Sequence, residues 1–208
     1  PVVAPKPAEW DGNKHVTGYW IRDSRADWKP DKALADFLEA GSRPIYIGFG
    51  SMVGGSFEQV LDIVLKSLRL TKQRAVLSAG WGDLREQHLS GMIHQVGFVP
   101  HEWLFQHVAA VVHHGGVGTT AAGLRAGIPT IVVPFGGDQP YWGDRVYQLG
   151  AGPKPIPRKK LDVKRLSSAI LQAVSSREII ENAKRIGEKL CAEDGVGRAA
   201  DIIERETK

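Results

Sequence analysis

The sequence predicts an α/β fold in which a parallel sheet carries helices on both of its faces. Three features of the 208 residues support this prediction. Short apolar runs alternate with longer amphipathic stretches from residue 44 onward, as strands joined by crossover helices do. The run at 44–50 is apolar and ends at glycine, which is typical of a buried parallel strand. The composition, 42% hydrophobic and 24% charged, excludes general disorder.

The order of strands and helices follows from where the apolar patterns begin and end. The predicted strands span residues 44–50, 74–79, 92–96, 109–114, 130–135 and 152–155. The predicted helices span residues 31–40, 57–70, 119–126, 140–149, 162–174, 176–191 and 195–206. Gly41 supplies a C-cap for the first of these helices. In the second, Val60, Val64 and Leu68 fall on one apolar stripe.

Residues 1–43 differ in composition and are predicted to be a linker and N-terminal extension, with residues 44–208 forming the domain. Prolines are frequent at the start of the chain, which favours extended backbone. Three of the six tryptophans, Trp10, Trp20 and Trp28, lie there. We therefore expect this stretch to pack on a domain surface that the rings cover. Because the first residue is not Met, we expect the chain to be processed or cut from a longer protein.

Charge and cysteine content exclude several classes of protein. The net charge of +4 is too small to indicate nucleic-acid binding, and we expect no such partner. The single cysteine, Cys191, excludes an intramolecular disulfide framework and fits a reducing compartment, so we expect a cytoplasmic protein. Its side chain is expected in the core. No apolar run approaches the roughly 20 residues of a membrane helix, and the start lacks a signal-peptide pattern.

The loop after the fourth strand, HHGGVGTT at 113–120, is the most informative segment. Its glycines let backbone N–H groups approach a ligand, and the helix that follows favours an anion at its N-terminus. We therefore predict a phosphate or pyrophosphate site. The residues assigned to it are Gly115, Gly116, Gly118, Thr119 and Thr120. Either His113 or His114 could add a donor, and His114 is favoured. An NAD site, suggested by Gly116-x-Gly118-x-x-Ala121 followed by Asp138, is less favoured because that fingerprint belongs to the first strand of its fold.

Other loops that follow strands hold further candidates, each with a structural alternative. Asp138 and Gln139 can bond the vicinal hydroxyls of a hexose, or Asp138 can cap the next helix. A ring in the loop 97–103 can stack on a nucleobase, whereas Trp103 fits packing under that loop equally well. Ser51 can bond a phosphate or cap a helix.

At these loops the sequence resembles the inverting UDP-sugar-dependent glycosyltransferases of GT-B architecture, specifically their C-terminal, donor-binding half with its Rossmann-like sheet. Within that family it is most similar to the sterol 3-β-glucosyltransferases of fungi and plants and their bacterial relatives. The motif GDQPYWG at 137–143, in place of the more widespread DQ-x-x-N-A, points to the sterol branch. The matching segments are PIYIGFGSM (44–52), GWGDL (80–84), VPHEWLF (99–105), the long stretch 111–146 and AEDGVGRA (192–199).

The resemblance implies how the nucleotide would be held. His114 and the backbone of 115–120 would hold the UDP pyrophosphate, and Ser51 would contact a phosphate from the other side. Plant small-molecule members carry a ribose-binding Glu where this chain has Ala122. Ribose recognition must therefore come from elsewhere, with His101 as a weak candidate.

The resemblance also implies contacts to the base and the sugar. Phe98 and Val99 would meet the uracil by stacking and backbone hydrogen bonds. Asp138 and Gln139 would bind sugar hydroxyls, and Trp142 would pack beside them. The donor implied is UDP-glucose.

The reaction implied is attack of an acceptor hydroxyl on the anomeric carbon, with loss of UDP and inversion. A general base must take the hydroxyl proton, and in this family the base and most of the acceptor pocket lie in the N-terminal domain. We therefore expect no catalytic residue in this chain and no transfer by the chain alone. We expect no metal and no cofactor, since there is no DxD motif or metal-spaced cluster. The acceptor expected is a sterol or other lipid-like hydroxyl; a polyketide or other small aglycone, and a non-catalytic nucleotide-sugar-binding module, are the alternatives.

Residues 154–165 concentrate six lysines and arginines. Such a stretch can make a peripheral contact with an anionic membrane, where a lipid acceptor would be met. A solvated loop and helix start is the simpler interpretation.

Overall fold

The structure is a computed structural model that describes residues 1–21, 28–50, 57–78 and 91–207. In it, a parallel sheet has the strand order β3-β2-β1-β4-β5. The strands are β1 Ile45–Gly48, β2 Ala75–Ser78, β3 Ile93–Val96, β4 Ala110–His113 and β5 Thr130–Val132. The helices are α1 Lys32–Glu39, α2 Phe57–Thr71, α3 His101–Leu104, α4 Val117–Arg125, α5 Gln139–Gln148, α6 Val163–Ser175, α7 Arg177–Cys191 and α8 Gly195–Glu206.

The central strand β1 shows how the two faces of the sheet are covered. Ile45 pairs with Ala75 on one side and with Ala110 on the other, in parallel register. Successive side chains of a strand point to opposite faces. Ile45 and Ile47 therefore pack in the cluster that α2 and α6 cover, whereas Tyr46 packs in the cluster that includes α1 and α3. Helices lie on both faces, and the predicted fold class is confirmed.

The helix α2 follows the predicted apolar stripe. Val60 and Val64 are fully buried, and Leu68 is almost fully buried. They pack against α6, whose first turn is capped by the Asp162 carboxylate accepting from the Arg165 N–H at 2.7 Å. The apolar stripe and the cap together fix α6 over the same face of the sheet.

The strand predicted over 152–155 does not form. The chain there runs beside β5 and makes two bonds to it, from the Ile156 N–H to the Val132 carbonyl at 2.9 Å and from the Arg158 N–H to the Pro134 carbonyl at 3.0 Å. Prolines at every second position from 153 to 157 have no N–H, so a continuous ladder is impossible.

Parts of the segment 1–43 pack on the domain, as expected. Val3 is 2% exposed among residues of α4, α5 and α7, and its carbonyl accepts from Arg145 Nε at 2.7 Å. Trp28 packs against Trp103, with ring centroids 4.7 Å apart. The expectation that all three tryptophans cover apolar surface is wrong for Trp10 and Trp20, which are exposed. The domain boundary at residue 43 stays a prediction.

Two further observations concern Cys191 and membrane spans. Cys191 is exposed at the end of α7, so the expectation of a core position is wrong. The helix ends there, and its apolar stripe is completed by Leu190 instead. Within the described ranges, no helix has the length and apolarity needed to cross a membrane.

Candidate functional site

The loops after β1, β3 and β4 meet at one edge of the sheet, because parallel strands end at the same edge. Between these loops lies a cavity of about 580 Å³. Four of the predicted site residues line it: Phe98, Val99, His114 and Thr119. Ser51 lies outside the described residues, as does the whole of the matching segment 80–84.

The turn between β4 and α4 requires glycine at two positions. Gly115 has φ +96°, and a Cβ there would lie 2.8 Å from Val132 Cγ1 and 3.0 Å from the Gln139 carbonyl oxygen. At Gly116 a Cβ would lie 2.6 Å from His114 Nε2. The absence of a side chain at Gly115 thus lets the turn lie directly against Gln139, and its absence at Gly116 leaves room for the His114 ring.

The N-terminus of α4 supplies backbone donors. The helix begins at Val117, two residues before the predicted start, and its N-cap Gly116 makes no side-chain capping bond. The N–H groups of the first turn have no partner within a helix, and the helix dipole makes this end partly positive. Thr119 lies in this turn and lines the cavity. The arrangement suits an anion.

Thr120, which was predicted for the anion site, is a buried residue of α4 and does not line the cavity. Its side chain is buried and its hydroxyl donates to the Gly116 carbonyl at 2.9 Å. The earlier start of α4 explains the difference, since it places Thr120 inside the helix, where such a backbone bond is available.

The two histidines at the end of β4 have different roles. His113 is fully buried and its Nδ1 accepts from the Gly115 N–H at 2.9 Å, so the ring supports the turn. Burial, with a smaller contribution from His114, lowers the pKa of His113 to about 3. The ring of His114 lines the cavity instead. Burial lowers its pKa as well, although the Gly48 carbonyl and the Asp138 carboxylate favour the protonated form. Both rings are therefore neutral near pH 7.

Phe98 and Val99 form the other wall of the cavity. The Phe98 side chain is 89% exposed, so its ring is available for stacking, while Val99 packs against the core cluster beneath α3. Trp103 stacks on His107 with ring centroids 4.2 Å apart and also contacts Trp28. It packs under the loop and does not line this cavity.

The loop 134–140 is held by its own glutamine. The side chain of Gln139 is buried, and its Oε1 accepts from the N–H groups of Phe135 at 2.7 Å and Gly136 at 3.2 Å. Only the amide NH₂ of Gln139 is left for a ligand. Asp138 is exposed and does not cap α5; its Oδ2 accepts from Trp142 Nε1 at 2.7 Å. None of the residues that line the 580 Å³ cavity belongs to the loop 134–140 or to α5, so the cavity does not include Asp138, Gln139 or Trp142. The loop lies next to the cavity, because Gln139 contacts Gly115, which directly follows His114.

At the floor of the cavity, Tyr46, Ser78 and His101 form a polar cluster that was not predicted from the sequence. The Tyr46 hydroxyl lies 3.2 Å from His101 Nε2, and a Cβ at Gly48 would collide with that hydroxyl. The Ser78 side chain bonds the tyrosine as well. Burial lowers the pKa of His101, so this ring is neutral too. The only signal in the sequence was a tyrosine and a terminal glycine inside an otherwise apolar strand.

A family model described as "Erythromycin biosynthesis protein CIII-like, C-terminal domain" matches residues 77–203, more than half of the chain. The chain belongs to this family. The resemblance expected from the loop motifs, to the C-terminal half of GT-B glycosyltransferases, is confirmed.

Two curated relatives of this EryCIII-like chain are named sterol 3-beta-glucosyltransferases. The chain is 43% identical over 99% of its length to "Sterol 3-beta-glucosyltransferase UGT80B1" of Arabidopsis thaliana, and it spans 34% of that protein. It is 41% identical over 99% of its length to "Sterol 3-beta-glucosyltransferase" of Neosartorya fischeri, of which it spans 15%. The chain thus corresponds to about a third or less of these relatives.

Solved structures support the fold. The glycotransferase of kitacinnamycin matches with a TM-score of 0.70 and 26% identity over 90% of this chain and 47% of that chain. The glycosyltransferase SnogD from Streptomyces nogalater matches with a TM-score of 0.67 and 23% identity over 98% of this chain and 52% of that chain. The parallel α/β domain of this EryCIII-like chain is therefore the domain type found in these glycosyltransferases.

Proposed function

We propose that this chain is the donor-binding part of an inverting glycosyltransferase and that its donor is a UDP-hexose, UDP-glucose in the first place. The observation that carries the proposal is the glycine turn 115–118 running into α4 beside the cavity. Unpaired N–H groups, a helix dipole and the neutral ring of His114 converge there, which is the chemistry that binds a diphosphate. When UDP leaves, the same groups stabilise its developing charge.

Each remaining site residue has a proposed partner on the donor. The Phe98 ring stacks on the uracil, and the Val99 backbone bonds the edge of the base. His101 is the candidate for the ribose hydroxyls, because it lines the same cavity. Ser51 is proposed to contact a phosphate. The Asp138 carboxylate and the Gln139 NH₂ are proposed to bind sugar hydroxyls.

The acceptor we propose is a sterol or another lipid-like hydroxyl. The support is the shared name of the curated relatives at 41–43% identity. The acceptor pocket and the base that takes the hydroxyl proton are proposed to lie outside this chain, which spans only 34% and 15% of those relatives. No metal or cofactor is proposed. We propose a cytoplasmic location.

Calorimetry on the 208-residue chain tests the donor assignment. We expect binding of UDP and UDP-glucose, weaker binding of TDP-glucose, and none of NAD. Asp138→Ala should weaken UDP-glucose by about 1–3 kcal/mol, because a charge-assisted hydrogen bond is lost, and leave UDP unchanged. A preference for NAD, or no UDP binding by a sample shown to be folded by circular dichroism, would overturn the assignment. An equal loss of affinity for UDP and for UDP-glucose would show that Asp138 does not bind the sugar.

We also propose a peripheral contact with anionic membranes, supported by a groove of about 710 Å³ beside α6. Its polar wall carries Lys154, Lys160, Lys164 and Arg165, while prolines from the loop 134–140 line its other end. The groove therefore opens next to the proposed sugar loop, and its charge complements anionic headgroups.

Sedimentation with phospholipid vesicles tests this contact. We expect binding to phosphatidylserine-containing vesicles and none to neutral ones. The pair Lys160→Glu and Lys164→Glu should lose binding, since each lysine near the surface contributes about 1 kcal/mol. The control pair is Lys184→Glu and Lys189→Glu, which reverses two exposed charges on α7. An equal loss of vesicle binding in the two double variants would contradict a specific contact through this groove.

A further inference from the structure

Asp138 immediately precedes α5, yet its carboxylate makes no capping bond to that helix. Aspartate is among the preferred N-cap residues, whose side chain accepts from the N–H of the second or third helical residue. Here the second helical residue is Pro140, which has no N–H. Of the two backbone N–H groups that could bond this carboxylate as a cap, one is therefore absent.

Trp142 binds the carboxylate instead. Its indole Nε1–H donates to Asp138 Oδ2 at 2.7 Å, one turn along α5. A bond of this length to an ionised acceptor is strong and directional. Oδ1 makes no hydrogen bond to any part of the chain that the structure describes. The indole therefore fixes the rotation of the carboxylate and leaves one oxygen able to accept from a ligand hydroxyl.

The indole is supported by the N-terminal segment. The ring centroids of Tyr19 and Trp142 are 6.5 Å apart, with the planes tilted by 39°. The Tyr19 N–H donates to Glu193 Oε2 at 3.4 Å, and the Val2 N–H donates to Oε1 of the same carboxylate at 3.1 Å. Glu193 follows α7 and its side chain is 4% exposed. The buried Glu193 carboxylate thus holds the backbone of Tyr19 where its ring meets Trp142.

We propose that Trp142 is a positioning residue for the donor sugar, and that Tyr19 supports it in this role. Trp142 keeps Asp138 away from the helix end and presents its second oxygen to a sugar hydroxyl. The proposal rests on the proposed function, because it requires Asp138 to bind the sugar. By this proposal, the segment 1–21 influences how tightly the sugar is bound, although none of its residues is proposed to contact the donor.

The substitution Trp142→Phe tests the indole bond, since it keeps a ring and removes the N–H. We expect the Kd for UDP-glucose to rise about five- to tenfold and the Kd for UDP to stay unchanged. The matched control is Tyr147→Phe, an exposed aromatic on the same helix, which should change neither. Equal effects on both nucleotides would indicate a general structural role and overturn the proposal.

A double-mutant cycle separates this proposal from the function on which it rests. In the Asp138→Ala background, Trp142→Phe should have no further effect on UDP-glucose, because the carboxylate that accepts from the indole N–H is already gone. If Asp138→Ala weakens UDP-glucose selectively and Trp142→Phe does not, positioning by Trp142 is wrong and the donor assignment stands. If Asp138→Ala has no selective effect, the proposed sugar contact fails and the positioning proposal fails with it.

Support from the N-terminal segment has its own test. Tyr19→Ala should raise the Kd for UDP-glucose about two- to fivefold, because the indole loses one packing surface, and leave UDP unchanged. Tyr147→Ala is the control for removing an aromatic ring elsewhere on the molecule. An unchanged Kd for UDP-glucose in Tyr19→Ala would overturn the part of the proposal that concerns Tyr19.

Discussion

His114 lines the cavity as a neutral ring because burial lowers its pKa. A diphosphate bound beside the ring would raise that pKa, since the anion favours the charged imidazole. The bound state then holds the proton more tightly, so affinity for UDP-glucose should increase as the pH falls from 7.5 to 5.5. UDP-glucose is the suitable probe, because it lacks the terminal phosphate group that titrates near pH 6. Calorimetry at three pH values measures the slope, and His114→Asn should abolish it. An identical slope in the variant would contradict a contact between His114 and the diphosphate.

His113 stabilises the fold in a pH-dependent way. Its pKa is lowered to about 3, whereas the unfolded chain takes up a proton near pH 6.5. Its contribution to stability is therefore complete above pH 6.5 and is lost progressively as the pH falls toward 3. At pH 5 the loss is about 2 kcal/mol, from 1.5 pH units at 1.36 kcal/mol each.

Urea unfolding at pH 7.5 and pH 5.0 measures this loss. His113→Asn is the informative variant, because its amide oxygen can still accept from the Gly115 N–H. The variant should lose less stability between the two pH values than the native chain, by about 2 kcal/mol. The same loss in both proteins would show that His113 is not the group that titrates.

The turn between β4 and α4 depends on a backbone that only glycine adopts easily. Gly115→Ala should destabilise the domain by about 2–4 kcal/mol, because the residue has φ +96° and its Cβ would press on Val132 and Gln139. Gly118→Ala is the control, since a Cβ there meets nothing within 4 Å and lies inside α4. Alanine at that helical position should be neutral or stabilising by up to about 1 kcal/mol. Thermal or urea unfolding compares the two, and similar destabilisation of both would contradict a special role for Gly115.

The elements show what local pattern can and cannot predict. Short apolar runs identified the five strands that form among the described residues, because a buried parallel strand must be apolar on both faces. The start of α4 was missed because Val117 and Gly118 are weak helix formers, and their helical state depends on packing. The same shift places Thr120 inside the helix, where its hydroxyl bonds the Gly116 carbonyl. The pairing of Tyr46 with His101 joins residues 55 positions apart, which no local pattern could indicate.

At the scale of the molecule, the proposed donor contacts come from separate parts of the chain. The turn 113–118 and α4 lie beside the cavity at the carboxyl edge, while the loop 134–140 adjoins them through Gly115. The segment 1–21 reaches the same region through Val3, packed beside α5, and through Tyr19 against Trp142. Among the described residues, the proposed donor-side groups therefore gather at this edge of the sheet from these loops, α4 and the segment 1–21. Because the acceptor pocket and the base are proposed to lie outside this chain, donor binding and acceptor chemistry can be assayed apart.

That separation yields a prediction for the whole chain. With UDP-glucose and a sterol dispersed in detergent, the 208-residue chain should bind the nucleotide yet release no UDP above the rate of the buffer. The reason is that an inverting attack needs a base within hydrogen-bond reach of the acceptor hydroxyl, and the base is proposed to lie outside this chain. A coupled UDP-release assay and mass detection of sterol glucoside measure both products, with calorimetry on the same sample to show that donor binding is intact. Transfer by this chain alone would contradict the division of roles.

Binding without turnover is also expected of a non-catalytic module, so the comparison is repeated on a longer protein that contains the N-terminal region. Turnover there that is lost in Asp138→Ala would assign the donor site to catalysis.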